Sequence, residues 1–286
     1  MTAKPFISII IPTLNEEKFL PSLLSDLSHQ THTDYELIVV DGHSEDKTKA
    51  KTLLFSGLIP SLIFIDSPRR NVSYQRNLGA QNAKGKYFLF VDADTRLPKY
   101  YLSGLIYRIM SQPTDVFTCW AAPESGSATD KTISNIINMS VETAFLLDSP
   151  AAIGAMIGCR HDVFMKIKGF DPKVPFAEDA EFVKRAYKKG FTFRIYRDPK
   201  FVMSLRRFKK TGTIRSFQKY ARLHLKRLIE ADINQETEYP MGGKTFTKDI
   251  PTQNLIDKTI STLDAGKKIP LIVEKIKALF TLSEDE

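Results

Sequence analysis

Lys86-Tyr87-Phe88-Leu89-Phe90-Val91-Asp92-Ala93-Asp94-Thr95 reads as a buried strand that ends in acid. Tyr87–Val91 is an unbroken apolar, aromatic and β-branched run, short enough to be a strand covered on both faces. Two carboxylates one residue apart follow it directly. In an open α/β sheet, ligands bind just beyond the carboxyl ends of the strands, which is where this pair falls. Hard divalent cations such as Mg²⁺ or Mn²⁺ take oxygen ligands and keep part of their shell for water and substrate phosphates. An Asp-x-Asp at a strand end therefore suits a metal that carries a diphosphate. The plain alternative is a cap for the next helix.

Upstream of this run, strands and helices alternate. Residues 6–11 (Phe-Ile-Ser-Ile-Ile-Ile) form a first buried strand that Pro12 stops. Thr13 or Asn15 can then cap a helix over residues 16–29, whose Phe19, Leu20, Leu23, Leu24 and Leu27 share one face. A second strand over residues 36–40 ends in Asp41-Gly42-His43-Ser44, with Ser44 placed to cap a helix over 45–55. A third strand covers residues 62–66, and a helix over 72–84 opens at Asn71 and closes at Gly85. Such alternation predicts a mainly parallel, doubly wound sheet with right-handed crossovers. Polar clusters follow three of its strands: Thr13/Asn15/Glu16, Asp41/Ser44 and Asp92/Asp94.

Beyond Pro98 the pattern loosens. Helices are expected over residues 100–110, 134–147 and 160–168, and another from Ala177 to a stop at Gly190. Strands are expected over 116–122, 155–159, 191–196 and 201–205. From residue 214 to 233 the chain reads as a basic helix. The remainder is polar until a short amphipathic stretch over 269–280.

The composition bounds the function. The chain has 286 residues, 42% of them hydrophobic and 26% charged, enough for one large domain or two small ones. Its two cysteines, Cys119 and Cys159, make neither a metal spacing nor a disulfide framework and read as buried free thiols. Met1 to Pro5 runs straight into a strand, so no signal peptide is expected. No apolar run approaches the ~20 residues that cross a bilayer. A cytoplasmic protein is expected, and the net charge of +8 implies an anionic partner.

The order of these clusters resembles the family-two inverting glycosyltransferases of the GT-A fold. The matching segments begin with Ser8-Ile-Ile-Ile-Pro12-Thr13-Leu-Asn15-Glu16 and Ile38-Val-Val-Asp41-Gly-His-Ser44. Arg76-Asn77-Leu-Gly79-Ala80 and Phe90-Val-Asp92-Ala93-Asp94 come next. In the second half they are Gly169-Phe170-Asp171, Glu178-Asp179-Ala-Glu181-Phe182 and Ser204-Leu-Arg206-Arg207. The resemblance covers roughly residues 6–210.

The resemblance implies a GT-A domain over residues 1–235, with a nucleotide-sugar half over about 1–97 and an acceptor half over 98–235. Residues 236–286 would be a polar, partly flexible tail with a terminal amphipathic helix. Pro12, Thr13, Asn15 and Glu16 would wall the nucleoside. Asp41, with Ser44 beside it, would contact the base, and Arg76 would meet nucleoside or diphosphate. Asp92 and Ala93 would face the ribose side, while Asp94 would bind Mg²⁺ or Mn²⁺ and through it the diphosphate. Arg206 and Arg207 would approach that diphosphate, and Asp179 would be the general base, kept ionised by its helix N-terminus. The implied donor is a nucleoside-diphosphate sugar; UDP is the family's commonest choice and GDP the rival. The acceptor class, lipid-linked sugar or polysaccharide, is not written in single residues.

Plainer readings stand beside these. Glu17 can simply favour a helix start, Arg76 can face solvent, and Glu178 or Glu181 can be a structural partner. His43 and His161 read as surface residues rather than ligands. A haloacid-dehalogenase-like phosphatase also carries Asp-x-Asp after a strand, but places it earlier and follows it differently from Arg96. A nucleotidyltransferase would want a glycine-rich basic loop where Thr13-Leu-Asn-Glu-Glu is acidic. A basic, non-catalytic adaptor for membranes or nucleic acid would explain the charge and not the carboxylates; no nucleic-acid partner is expected. The basic residues from Arg206 to Arg227 and the stretch over 269–280 would suit a peripheral contact with an anionic membrane surface.

Overall fold

The computed structural model describes residues 4–59, 61–174 and 177–206. The chain divides into two units after Arg206, and the described residues all belong to the first. The basic helix over 214–233, Arg207, the boundary at 235 and the amphipathic stretch over 269–280 lie outside the described residues.

Among the described residues, seven strands form one mixed sheet: β1 (Ile7–Thr13), β2 (Tyr35–Asp41), β3 (Leu62–Asp66), β4 (Tyr87–Val91), β5 (Val116–Ala122), β6 (Met156–Arg160) and β7 (Phe193–Val202). Their order across the sheet is β3-β2-β1-β4-β6-β5-β7. Pairs β3–β2, β2–β1, β1–β4 and β5–β7 are parallel, while β6 runs against its neighbours β4 and β5. The GT-A-like, mainly parallel sheet expected from the sequence is what forms. Because β1, β2 and β4 run the same way, Thr13, Asp41 and Asp92 emerge at one edge.

The helices of this unit are α1 (Leu20–Ser28), α2 (Thr48–Leu53), α3 (Val72–Gln81), α4 (Tyr101–Ser111), α5 (Ala128–Leu146), α6 (His161–Lys166) and α7 (Glu178–Lys188). Side chains alternate across each strand, so the core has two layers. Ile9, Ile11, Leu89 and Val91 pack with Leu20, Leu24 of α1 and Leu102, Leu105 of α4. Ile10, Val40, Phe88 and Phe90 pack with Phe164, Phe170 and Phe182 on the other face. Each such side chain contributes roughly 1.5–3 kcal/mol by leaving water.

Several element boundaries differ from the sequence reading. The first helix begins at Leu20 rather than residue 16, because Pro21 is tolerated only in a first turn. Neither Thr13 nor Asn15 caps it; Asn15 sits at φ 56 and bonds across to the next loop. The second helix starts at Thr48, and Ser44 is not its cap but a partner of Asp41. The third opens at Asn71 as expected, its Oδ1 accepting from Tyr74 N at 2.8 Å, and ends at Gln81. The fifth starts at Ala128, where Ser127 Oγ accepts from Asp130 N at 3.1 Å. The two expected final strands are one, β7. Pro199 is accommodated there because β7 is the sheet edge and its ladder with β5 shifts register beside Cys119 and Ala121. Cys119 and Cys159 are buried free thiols; burial pushes the Cys119 thiol up to about 12.

Candidate active site

Three loops converge where β1, β2 and β4 end. After β1, the Asn15 N–H donates to Ser44 Oγ at 2.8 Å, and Asn15 Oδ1 accepts from Glu45 N at 2.8 Å. The Glu16 N–H reaches Thr48 Oγ1 at 2.9 Å, and Glu17 Oε2 accepts from Lys47 N at 3.1 Å. The first loop is thus laced to the second through the polar side chains of both.

Asp41 is the hub of that lacing. Its Oδ1 accepts from Thr13 Oγ1 at 3.0 Å and from Ser44 Oγ at 2.6 Å, and its Oδ2 from Ser44 N at 2.8 Å. From α3, the Gln75 amide donates to Thr13 O at 2.9 Å and Val40 O at 2.8 Å, closing the ends of β1 and β2 from behind. Buried polar groups are costly unless bonded, and here each finds its partner on a neighbouring strand end.

The Asp92–Asp94 turn is fixed on both sides. Thr95 N donates to Asp92 O at 3.1 Å, and Asp92 N to Ala155 O at 3.1 Å. Arg96 then forks onto Asp26 of α1, with Nε to Oδ2 at 2.6 Å and Nη2 to Oδ1 at 2.8 Å. Its backbone bridges Val202 at the end of β7. Both carboxylates of the turn meet an arginine. Arg76 Nη2 lies 3.1 Å from Asp92 Oδ1, and Arg206 Nε lies 2.8 Å from Asp94 Oδ2.

Arg76 reaches that position because α3 presses hard against β1: a Cβ on Gly79 would collide with Ile10. Arg76 as a whole is 2% exposed. It also donates to Glu178 Oε1 at 2.9 Å and Gly154 O at 3.1 Å, and lies 5.1 Å from the Phe170 ring centroid. Burial works against its charge, but Asp92, Glu178 and Asp179 outweigh it and raise its pKa. Asn77, next along α3, holds the turn that carries Phe170. Its Nδ2 donates to Phe170 O at 2.8 Å, and its Oδ1 accepts from Phe170 N at 2.9 Å.

Asp179 stands in the first turn of α7. Its Oδ1 accepts from Ala180 N at 2.7 Å, and its Oδ2 lies so near Gly154 that a Cβ there would approach to 2.6 Å. The Glu178 side chain is only 13% exposed, and its partial burial raises its carboxyl above the ordinary range although Arg76 pulls it down. Glu181 is paired with Arg185 at 2.7 Å, whose Nη2 also reaches Gly169 O at 2.6 Å. Glu178 and Glu181 are therefore both committed to arginines. Glu16, also raised by burial and opposed by Arg206, is forked by that arginine.

Among the described residues, no helix is long and apolar enough to span a membrane, and no three His, Cys, Asp or Glu cluster as a metal cage. The hard carboxylate oxygens at the end of β4 fit Mg²⁺ or Mn²⁺ held by one or two protein ligands, with phosphate and water completing the shell.

The model of the Glycosyl transferase family 2 family matches residues 8–168, more than half of the chain. The chain belongs to glycosyl transferase family 2. It is 26% identical over 200 residues to glycosyltransferase AglE of Haloferax volcanii, a match that spans 68% of this chain and 65% of AglE. The chain spans less than two-thirds of the length of the curated relatives it matches. In fold it is similar to mannosyltransferase PcManGT from Pyrobaculum calidifontis, solved with GDP-Man and Mn²⁺. That likeness has a TM-score of 0.65 at 16% identity, covering 100% of this chain and 82% of that one. It is also similar to S. aureus TarS 1–349 in complex with UDP, with a TM-score of 0.57 at 22% identity over 82% and 68% of the two chains.

The family match sets aside the phosphatase and nucleotidyltransferase readings. The sequence-predicted site residues Thr13, Asn15, Glu16, Asp41, Ser44, Asp92, Ala93, Asp94 and Arg206 gather at one sheet edge, with Pro12 at the end of β1. Arg76 does not face solvent; it cross-links Asp92 to Glu178. His161 lies at the opposite edge, its ring 4.7 Å from Phe88 and its Nδ1 3.2 Å from Gly85 O. Sequence reasoning missed Gln75, Gly154 and Phe19. Gln75 follows three residues after Val72 on a helix already marked by Arg76 and Gly79, and an inward polar helix face was the signal. Gly154 and Phe19 carry no such mark.

Proposed function

We propose that this glycosyltransferase moves a sugar from a nucleoside-diphosphate sugar to an acceptor hydroxyl with inversion at the anomeric carbon. The observation that carries the reading is the meeting of Thr13, Asp41 and the Asp92–Asp94 turn at one edge, with Asp179 brought to them through Gly154 and Arg76. TarS has been solved with UDP and with UDP-GlcNAc, and PcManGT with GDP-Man and Mn²⁺; such donors suit this edge. UDP is the nucleotide we assign.

In this reading Pro12, Thr13, Asn15 and Glu16 wall the nucleoside, and Asp41, oriented by Thr13 and Ser44, accepts a hydrogen bond from the base. Asp92 and Ala93 face the ribose. Asp94 would hold Mg²⁺ or Mn²⁺, which when bound neutralises charge developing on the diphosphate. Arg206 and Arg207 add donors for the same leaving group. Asp179 takes the acceptor hydroxyl proton as the oxygen forms its bond to the anomeric carbon. The bond from that carbon to the diphosphate oxygen breaks on the opposite face, and the nucleoside diphosphate leaves with the electron pair. Arg76, which the resemblance sets against nucleoside or diphosphate, also holds this machinery by fixing Asp92 and the start of α7.

Calorimetric titration of UDP into wild type and Asp94→Ala, in Mn²⁺ and in chelator, tests the assignment. Mn²⁺ should raise UDP affinity in wild type by about tenfold or more, equivalent to ~1.4 kcal/mol, and should do nothing for a folded Asp94→Ala. An equal Mn²⁺ effect in both proteins would refute it.

A further inference from the structure

Arg206 directs its whole guanidinium fork at two carboxylates. Nε faces Asp94 Oδ2 at 2.8 Å, Nη1 faces Glu16 Oε2 at 3.0 Å, and Nη2 closes on Glu16 Oε1. The flat of the group lies on the Phe19 ring, 4.4 Å from its centroid. Arg206 comes from the end of β7, whereas Glu16 and Phe19 follow β1 and Asp94 follows β4. Three distant parts of the chain are thereby joined at the end of the Asp-x-Asp turn. The Glu16 and Asp94 side chains are only 14% and 16% exposed, so this contact is poorly screened by water.

We infer that Arg206 competes with the divalent cation for Asp94 and is transferred to the donor diphosphate when the donor binds, so that metal and nucleotide enter together. The inference rests on Asp94 as the metal-facing carboxylate, as proposed above. A divalent cation on Asp94 stands within a few ångströms of a guanidinium, and their like charges repel. Metal alone must therefore either displace Arg206 or share one carboxylate with it. A diphosphate removes the conflict. It offers the guanidinium fork the paired oxygens that Glu16 and Asp94 otherwise supply, and it adds ligands for the metal. The exchange gives Arg206 to the diphosphate and Asp94 to the metal, and Glu16 gives up its arginine. By linkage, whatever the diphosphate does for metal affinity, metal does equally for diphosphate affinity.

The test is Mn²⁺ binding to the full chain, counted by the electron spin resonance signal of free Mn²⁺, with and without UDP. Wild type, Arg206→Gln and Arg206→Lys are compared, with melting profiles as a check on folding. Arg206→Gln should bind Mn²⁺ alone about tenfold tighter than wild type, and the factor by which UDP improves Mn²⁺ binding should shrink. Arg206→Lys keeps a charge but loses the fork, and should fall between the two. A damaged fold cannot tighten metal binding, so the direction of the change separates the inference from a structural role. Unchanged or weaker Mn²⁺ binding in both variants would overturn it while leaving Asp94 as the metal residue. Absence of Mn²⁺ binding in every protein, even with UDP, would overturn the metal reading and this inference with it.

Discussion

Replacing Arg76 by methionine keeps the apolar stem and removes the guanidinium. Three groups then lose a donor: Glu178, Asp92 and the Gly154 carbonyl. The Asp92 side chain is 35% exposed and can turn to water, but that of Glu178 is 13% exposed and cannot. The cost therefore concentrates on Glu178. Removing one partner of a buried ion pair costs about 3–5 kcal/mol, against ~0–1 kcal/mol for exposed pairs such as Lys49–Asp66. For a body of this size each kcal/mol moves the melting temperature by roughly 2–4 °C, so Arg76→Met should lower it by about 6–20 °C. The penalty should also depend on pH. Burial raises the Glu178 carboxyl above its ordinary value of 4.5 while Arg76 pulls it down. A carboxyl raised in the folded state binds more protons there than in the unfolded chain, so its contribution to stability falls as pH rises from about 4.5 through the folded value. Without Arg76 that window widens upward. Arg76→Met should thus be mildest near pH 4.5 and most severe near neutrality, each measured against wild type at the same pH so that other titrations cancel. Adding Glu178→Gln should restore much of the loss at neutral pH. Thermal unfolding by circular dichroism across this range decides it. A penalty under ~1 kcal/mol, one independent of pH, or no recovery in the double variant would refute the buried cross-link.

Asp179→Asn should keep donor binding and lose transfer by at least about 10²-fold, the usual worth of a general base, read as glycosyl transfer or as donor hydrolysis with water as acceptor; a near wild-type rate would place the base elsewhere. Gly154→Ala puts a methyl 2.6 Å from Asp179 Oδ2, and a displacement of about 1 Å there should lower turnover by up to ~10²-fold with UDP affinity unchanged. Equal turnover in Gly154→Ala would mean that Asp179 has room its position denies.

Where the chain answers to burial alone, its structure was legible. β4 and β5 fall at the expected residues because a buried strand is written as an apolar run, and the half-exposed edge strand β3 still shows as Leu62-Ile-Phe-Ile65. The polar stretches between elements were harder to read. Asn15 and Ser44 both look like helix caps, since each is short, polar and placed before a helix. In the structure the two loops bond to each other instead: Asn15 to Ser44 and Glu45, and Glu17 N to Asp46. No local pattern distinguishes a cap from a cross-loop bond, because the partner lies about thirty residues away, on the neighbouring strand's loop. The missed helix start at Ala128 is different, for Ser127-x-x-Asp130 is a local capping signature that was there to be used.

The same distinction explains which site residues were legible and how far. Carboxylates at strand ends announce themselves, since a continuous apolar strand followed by Asp has few structural uses at a sheet edge. Their partners do not. Arg76 sits on a helix whose inward face carries Gln75 and Arg76 among small residues, so apolar periodicity points the wrong way. It faces inward to pair with Asp92 beyond β4, Glu178 at the start of α7 and the Gly154 carbonyl. Arg206 meets Glu16 across 190 positions of sequence, a pairing that the folded chain makes and local spacing does not. Thus the residues that hold charge in place are the ones that spacing cannot reveal. The carboxylates mark where the chemistry is expected, and the arginines decide how those carboxylates are held for it.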